Sequence, residues 1–215
     1  MRVNLISYTT PSADLQLKGI KTAEDLIVHN ARVSNPKNQF NSETGDKLIK
    51  YCVNHGHWSI FEQAMLTVEI ETSRAIAAQI IRHRSFTFQE FSQRYATIQG
   101  FEKIELRKQS ESNRQSSTDI ITDLETEKIV QNAINYSYNT YKQLLDSGVA
   151  REVARMVLPL STTTNMYMTG TCRSFIHYID LRTKQDTQKE HRLIAEEIKE
   201  IFKSQFPLTA ASLNY

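Results

Sequence analysis

The apolar residues change period twice between Ala64 and Tyr95, and that double change limits the folds open to the chain. From Ala64 to Thr72 the period is two. Met65, Thr67 and Glu69 alternate with Leu66, Val68 and Ile70, which predicts a half-buried strand. Ser73 predicts a helix cap, and Ile76, Ala77, Ile80 and Ile81 then carry a helical period straight into Arg82-His83-Arg84. Gln79 lies one turn before Arg82 and His83, so their side chains share a neighbourhood. From Ser85 the period returns to two. An extended reading lines up Glu90, Ser92 and Arg94 on one face, with Phe91, Gln93 and Tyr95 on the other.

Elsewhere, strands and helices mix without a repeating strand–helix–strand cadence, which predicts an α+β fold, a mixed sheet flanked by helices. Val3 to Tyr8 reads as a short strand. Thr22 caps a helix through Glu24, Leu26, Ile27 and Ala31 that ends at Asn35-Pro36. Ser42 opens a second helix, with Leu48, Ile49, Cys52 and Val53 on one face and Gly56 at its stop. His57-Trp58-Ser59 reads as a turn. The polar stretch from Leu106 to Asp119 reads as an exposed loop. A long helix from about Ile121 to Asp146 follows, then a short one over Val149 to Met156. Next come a β-rich segment from Thr162 to Thr169 and helices over Arg173 to Asp180 and Thr187 to Phe202.

At 215 residues the chain can bury a core as one domain. A net charge of +2 is too small to mark a nucleic-acid binder by charge alone. No apolar run is long enough to span a bilayer, and the first residues lack a secretory pattern. Cys52 and Cys172 lack metal-ligand spacing and read as reduced thiols, so a cytoplasmic protein with no membrane partner is expected. His55-Gly56-His57 has no second ligand pair at zinc spacing, so no metal is expected. Neither a P-loop nor a Gly-x-Gly-x-x-Gly run is present.

The chemistry is concentrated in the arginines. Between Arg74 and Tyr95 there are four arginines and one carboxylate, Glu90. Guanidinium groups grouped in this way match a bidentate anion such as phosphate. They equally suit a basic helix end paired with Glu90. His83 alone reads first as a structural histidine. Ser92 has no histidine–carboxylate partnership or nucleophile elbow around it. Arg155, before Met156-Val157-Leu158-Pro159, and Arg182, after Leu181, read singly as surface charge.

Taken together, these residues resemble a known family. Arg82-His83-Arg84, followed after seven intervening residues by Ser92, resembles the signature of the flavin-dependent thymidylate synthases, the ThyX family. Gly56-His57-x-Ser59-x-Phe61-Glu62, Gln79, Glu90, Arg94 and Tyr95 keep the family spacing. So do Arg151-Glu152-Val153-Ala154-Arg155-x-Val157-Leu158-Pro159, Arg173-Ser174, Leu181-Arg182, Gln188 and Glu190. The likeness runs in order from about His57 to Phe206.

The resemblance implies reductive methylation of dUMP to dTMP. Methylenetetrahydrofolate is the one-carbon donor, FAD the redox cofactor and NADPH the reductant, in a homotetramer whose sites draw on more than one chain. It places Gln79, Ile80, Ile81, Arg82, Glu90, Phe91, Ser92, Gln93, Arg94, Arg155 and Arg182 about dUMP. It places His57, Ser59, Arg82, His83, Arg84, Glu90, Thr171, Arg173 and His177 about FAD. Arg182 becomes the catalytic residue, stabilising negative charge as the pyrimidine N3 loses its proton. The chain departs from the family pattern at Thr171, His177 and Asp186, all toward the flavin.

Two rival readings make different demands. A nucleic-acid module would stack bases on Phe86, Phe88 and Tyr95. A cysteine-nucleophile synthase would use Cys172.

Overall fold

The computed structural model describes residues 1–41 and 43–215. The chain opens with strand β1 (Arg2–Tyr8), helices α1 (Ala13–Leu17), α2 (Ala23–Ala31) and α3 (Gly45–Asn54), and strand β2 (Met65–Ser73). Helix α4 (Arg74–Ile80), strand β3 (Thr87–Glu90), strands β4 (Arg107–Gln109) and β5 (Ser117–Ile120), and helices α5 (Leu124–Asp146) and α6 (Arg151–Ala154) follow. Strand β6 (Thr163–Thr171) and helices α7 (Cys172–Arg182), α8 (Lys189–Gln205) and α9 (Pro207–Ser212) complete it. Among the described residues no helix is long and apolar enough to cross a membrane.

The main sheet has the order β1-β2-β6-β3, and every pair in it is antiparallel. The α+β class holds, but the expected mixed sheet does not. β2 and β3, joined through α4, run the same way and as neighbours would make a parallel pair. β6 arrives later in the chain and fills the slot between them, antiparallel to both. The alternation read from Ala64 to Thr72 is real. Leu66, Val68 and Ile70 are fully buried, facing the core with Met166 and Met168 of β6. On the other face Asn4 and Asn165 donate to the Glu69 carboxylate at 3.0 and 2.8 Å. Helices α7 and α8 cover the apolar face with Phe175, Tyr178, Ile179, Ile194, Ile198 and Phe202.

The element ends agree with expectation where the signal is local and differ where the partner is remote. Thr22 caps α2 in a reciprocal capping box with Asp25, as its spacing allows. Gly56 takes φ +68° after α3, the left-handed stop that glycine adopts without strain. The opening of that helix expected at Ser42 lies outside the described residues. Ser73 precedes α4, but its side chain makes no cap bond. The free N–H groups of Arg74 and Ala75 donate instead to the carbonyls of Thr162 and Leu160.

The stretch read as a polar loop contains the β4–β5 hairpin. Arg107 ties it down, donating to Ser117, Glu105 and Glu190, so its order comes from polar anchoring and leaves no apolar period to read. α5 starts at Leu124 because Asp123 caps it, accepting from the Thr126 N–H and hydroxyl. α9 is short and lacks a sequence cap. The buried Glu24 carboxylate of α2 accepts from the N–H groups of Leu208 and Thr209 and closes its N-terminus.

Candidate active site

The signature residues sit in a turn. α4 ends at Ile80, and Arg82 and His83 donate their N–H groups to the carbonyls of Gln79 and Ile80. The helical period runs up to the arginines, as expected, but Arg82 to Arg84 themselves leave on a turn, where successive side chains diverge. Arg82 and Arg84 are exposed, with no hydrogen-bond or ion-pair partner among the described residues, whereas His83 is buried. Ile80 is fully enclosed in the core and its carbonyl accepts from the His83 N–H, so it offers a ligand no surface, while Ile81 is half exposed.

His83 faces Arg182 at the end of α7. The Arg182 Nε–H donates to His83 Nε2 at 2.8 Å. An acceptor nitrogen must be unprotonated, so His83 carries its proton on Nδ1. Burial, with the positive charge of Arg182 and the neighbouring His177 and Arg82, pushes its pKa down to about 4 and keeps it neutral. Held at Nε, Arg182 keeps both terminal nitrogens without a partner among the described residues. Tyr178 presents its ring to His83 at 4.9 Å, and Gln79, on α4, reaches the same region through His191.

A second group forms where β3 ends. Phe91 makes the last sheet bond, to the Asn165 carbonyl at 2.8 Å; the chain then turns, with Tyr95 and Ala96 donating to the Ser92 carbonyl. Glu90 therefore does not share a strand face with Ser92 and Arg94, as an extended reading requires. Its carboxylate accepts instead from Arg74 at 2.5 Å and Thr164 at 2.9 Å. The pairing of the basic cluster with Glu90, one of the two readings the sequence allows, is thus made through Arg74. Ser92, Arg94 and Tyr95 line an open cleft with Ala150, Arg151 and Glu152. Glu152 pairs with Arg94 at 3.1 Å through its carboxylate, and its carbonyl accepts from Arg155 Nε, so Arg94 and Arg155 meet at one residue. Gln93 is buried with its Nε2 unpartnered among the described residues.

A third group lines a cleft of about 500 Å³ between the short helical turn Trp58–Glu62 and α7. Arg173 and His177 face it, with Trp58, Ser85, Ser174 and Asp180. Arg173 pairs with Glu62 at 3.0 Å, and Asp180 accepts from the Tyr215 hydroxyl at 2.7 Å, so both acids are engaged internally. Thr171 spends its hydroxyl capping α7, accepting from the Ser174 N–H. His57 is exposed, its ring 5.7 Å from Tyr51, and Ser59 lines a different cleft beside Asn30 and Gln39. His177 of the third group lies near enough to His83 of the first to bear on its charge, whereas among the described residues no hydrogen bond or ion pair joins the second group to either.

Of the aromatics a nucleic-acid module would use, Phe86 is enclosed against Phe175 and Tyr178 and has no face to offer a base, Phe88 is half-buried and only Tyr95 is exposed. Cys172 is fully buried and desolvation raises its pKa well above the ordinary thiol value, which suppresses the nucleophilic thiolate.

Three comparisons bear on this arrangement. The family described as thymidylate synthase complementing protein matches residues 16–208. A probable flavin-dependent thymidylate synthase of Paramecium bursaria Chlorella virus 1 is 48% identical over 223 residues, covering all of both chains. A flavin-dependent thymidylate synthase of Synechocystis is 45% identical over 219 residues, also covering all of both. Among solved structures, the UMP/dUMP methylase PolB of Streptomyces cacaoi, bound with 5-Br dUMP, superposes with a TM-score of 0.84. It is 25% identical, covering 99% of this chain and 94% of that one. The fold is that of a nucleotide-methylating α+β enzyme. The chain belongs to the flavin-dependent thymidylate synthase family.

Proposed function

We propose that this chain is a cytoplasmic, single-domain enzyme that methylates dUMP reductively to dTMP, with methylenetetrahydrofolate as carbon donor, FAD as redox cofactor and NADPH as reductant. The observation that carries the reading is Arg182. It is a guanidinium held at one nitrogen by a neutral imidazole, with its terminal nitrogens open, in a chain that matches the family along its whole length.

Arg182 would set permanent positive charge against the pyrimidine, stabilising the anion formed as N3 loses its proton and leaving C5 electron-rich. A neutral His83 serves this better than a charged one, because it accepts from Arg182 without opposing the guanidinium. Arg94 and Arg155, bridged by Glu152, would receive the phosphate, each charge-assisted bond contributing about 1.5–3 kcal/mol. Ser92 would add a hydroxyl contact and Gln79 a carboxamide. Glu90, already held by Arg74 and Thr164, would be a fixed acceptor beside them.

The residues also suit FAD. The third cleft offers an indole face from Trp58 and cationic or donor side chains from Arg173 and His177, and Arg82 and Arg84 keep their donors unspent for phosphate. When bound, FAD supplies the electrons that convert the transferred carbon to a methyl group. A homotetramer would bring together groups that one chain holds apart. The exposure of Leu124, Ile129 and Tyr136 along α5, with Met156 and Leu160 nearby in sequence, supports such packing.

The test is turnover. Purified protein given FAD, NADPH, dUMP and a donor with labelled methylene carbon should form labelled dTMP. Stoichiometric flavin binding without any labelled dTMP would refute the reading.

A further inference from the structure

One buried imidazole has no part in the reaction as described. His191, on α8, is fully buried, with Nε2 3.0 Å from the Tyr178 hydroxyl and Nδ1 3.3 Å from Gln79 Oε1. A carboxamide oxygen only accepts, so Nδ1 must carry the proton and Nε2 must accept from Tyr178. Burial above all, with Arg182 and His83 nearby, keeps this imidazole neutral.

At its other end, Gln79 Nε2 donates to Gln188 Oε1 at 2.7 Å, and Gln188 Nε2 donates to Glu190 at 2.9 Å. Every bond in the chain Tyr178–His191–Gln79–Gln188–Glu190 therefore runs in one direction. Turning the Gln79 carboxamide over would set its oxygen against the Gln188 oxygen, which the Glu190 carboxylate holds in place, and would force His191 into its other tautomer with Tyr178 as acceptor. The orientation is therefore set from Glu190, and His191 is the group that receives and holds the other end.

We propose that His191 is a positioning residue that holds the Gln79 carboxamide in the orientation Glu190 sets through Gln188, and through it the binding of the pyrimidine nucleotide. This rests on the reading that Gln79 contacts dUMP. It adds a residue outside the recognised motifs, on a helix that otherwise serves the core.

The test compares His191→Leu, His191→Asn and His191→Gln in the FAD-loaded enzyme, measuring the Kd and KM for dUMP, kcat and flavin stoichiometry. Asparagine can place an amide N–H near the Nδ1 position, whereas glutamine reaches toward Nε2 and Tyr178. The leucine variant should raise the dUMP Kd and KM about tenfold, the loss of one hydrogen bond, with flavin stoichiometry and kcat kept. Asparagine should restore most of the affinity and glutamine should not, a distinction that a purely structural role would not produce. Should the leucine variant fail to fold, the asparagine–glutamine pair carries the comparison. Equal dUMP affinity in those two, or an unchanged Kd in the leucine variant, would overturn the proposal. A wild-type enzyme that binds FAD but no dUMP would overturn the underlying assignment as well.

Discussion

His83 can accept from Arg182 only while its Nε2 is unprotonated, so this contact has a pH below which it fails. The pKa values of His83 and His191 lie at about 4 and about 3, below the ordinary histidine value, because burial disfavours the charged ring. In the unfolded chain both rings take up protons at higher pH. Between about pH 6.5 and the folded values, the unfolded state therefore binds more protons, and stability rises with pH. That stability is complete above about pH 6.5 and is lost as pH falls through the window, by up to about 1.4 kcal/mol per unit for each ring. Urea titrations from pH 7.5 to 4.5 should show a flat region and then a steep decline, shallower in His191→Leu. A profile flat to pH 4.5 would contradict the buried, neutral assignment.

Arg182→Ala should keep the fold and its flavin yet lower kcat by about 10²- to 10³-fold, the usual cost of removing a charge-stabilising donor. Single-turnover dTMP formation measures this, and unchanged turnover would remove Arg182 from the mechanism. At this scale the sequence marks the Arg-His-Arg triad but not its division of labour. Spacing places the three side by side, while the turn sends His83 inward and leaves Arg82 and Arg84 exposed. His191 is illegible in the sequence because it works through Gln79, a partner far away in the chain.

At the scale of elements, the turn that carries the triad is pinned by Phe86, whose ring is buried directly against Gly170 of β6. A Cβ at Gly170 would stand 2.4 Å from a Phe86 ring carbon, so only glycine lets ring and strand meet. Gly170→Ala should destabilise the protein by about 1–3 kcal/mol through overpacking. It should also weaken nucleotide binding, because Phe86 and His83 share a turn hydrogen bond. Denaturant midpoints and dUMP affinity check the two effects, and an alanine variant matching wild type in both would refute the pinning.

Periodicity located most of the helices and strands, since apolar alternation and capping are local signals. It missed the β4–β5 hairpin, held by Arg107, and α9, held by Glu24, because in each the stabilising partner is polar and remote.

At the scale of the molecule, chain order conceals the sheet. Nothing near β2 and β3 announces that β6 will be inserted between them, so the parallel relation suggested by the β2–α4–β3 connection gives way to an antiparallel sheet. The site is similarly dispersed. The resemblance from about His57 to Phe206, more than any local pattern, joins Arg94, Arg155 and Arg182 into one expectation. The fold brings Arg94 and Arg155 to Glu152 and Arg182 to His83, and association of subunits is the proposed means of joining these groups.

If these guanidinium groups gather a pyrimidine monophosphate against a bound flavin, the nucleotide must perturb the flavin. Titrating the FAD-loaded protein with dUMP while recording its visible spectrum should give a saturable change in the flavin bands at one dUMP per bound FAD, weakened in Arg94→Ala and Arg155→Ala. A flavin spectrum indifferent to saturating dUMP would contradict it.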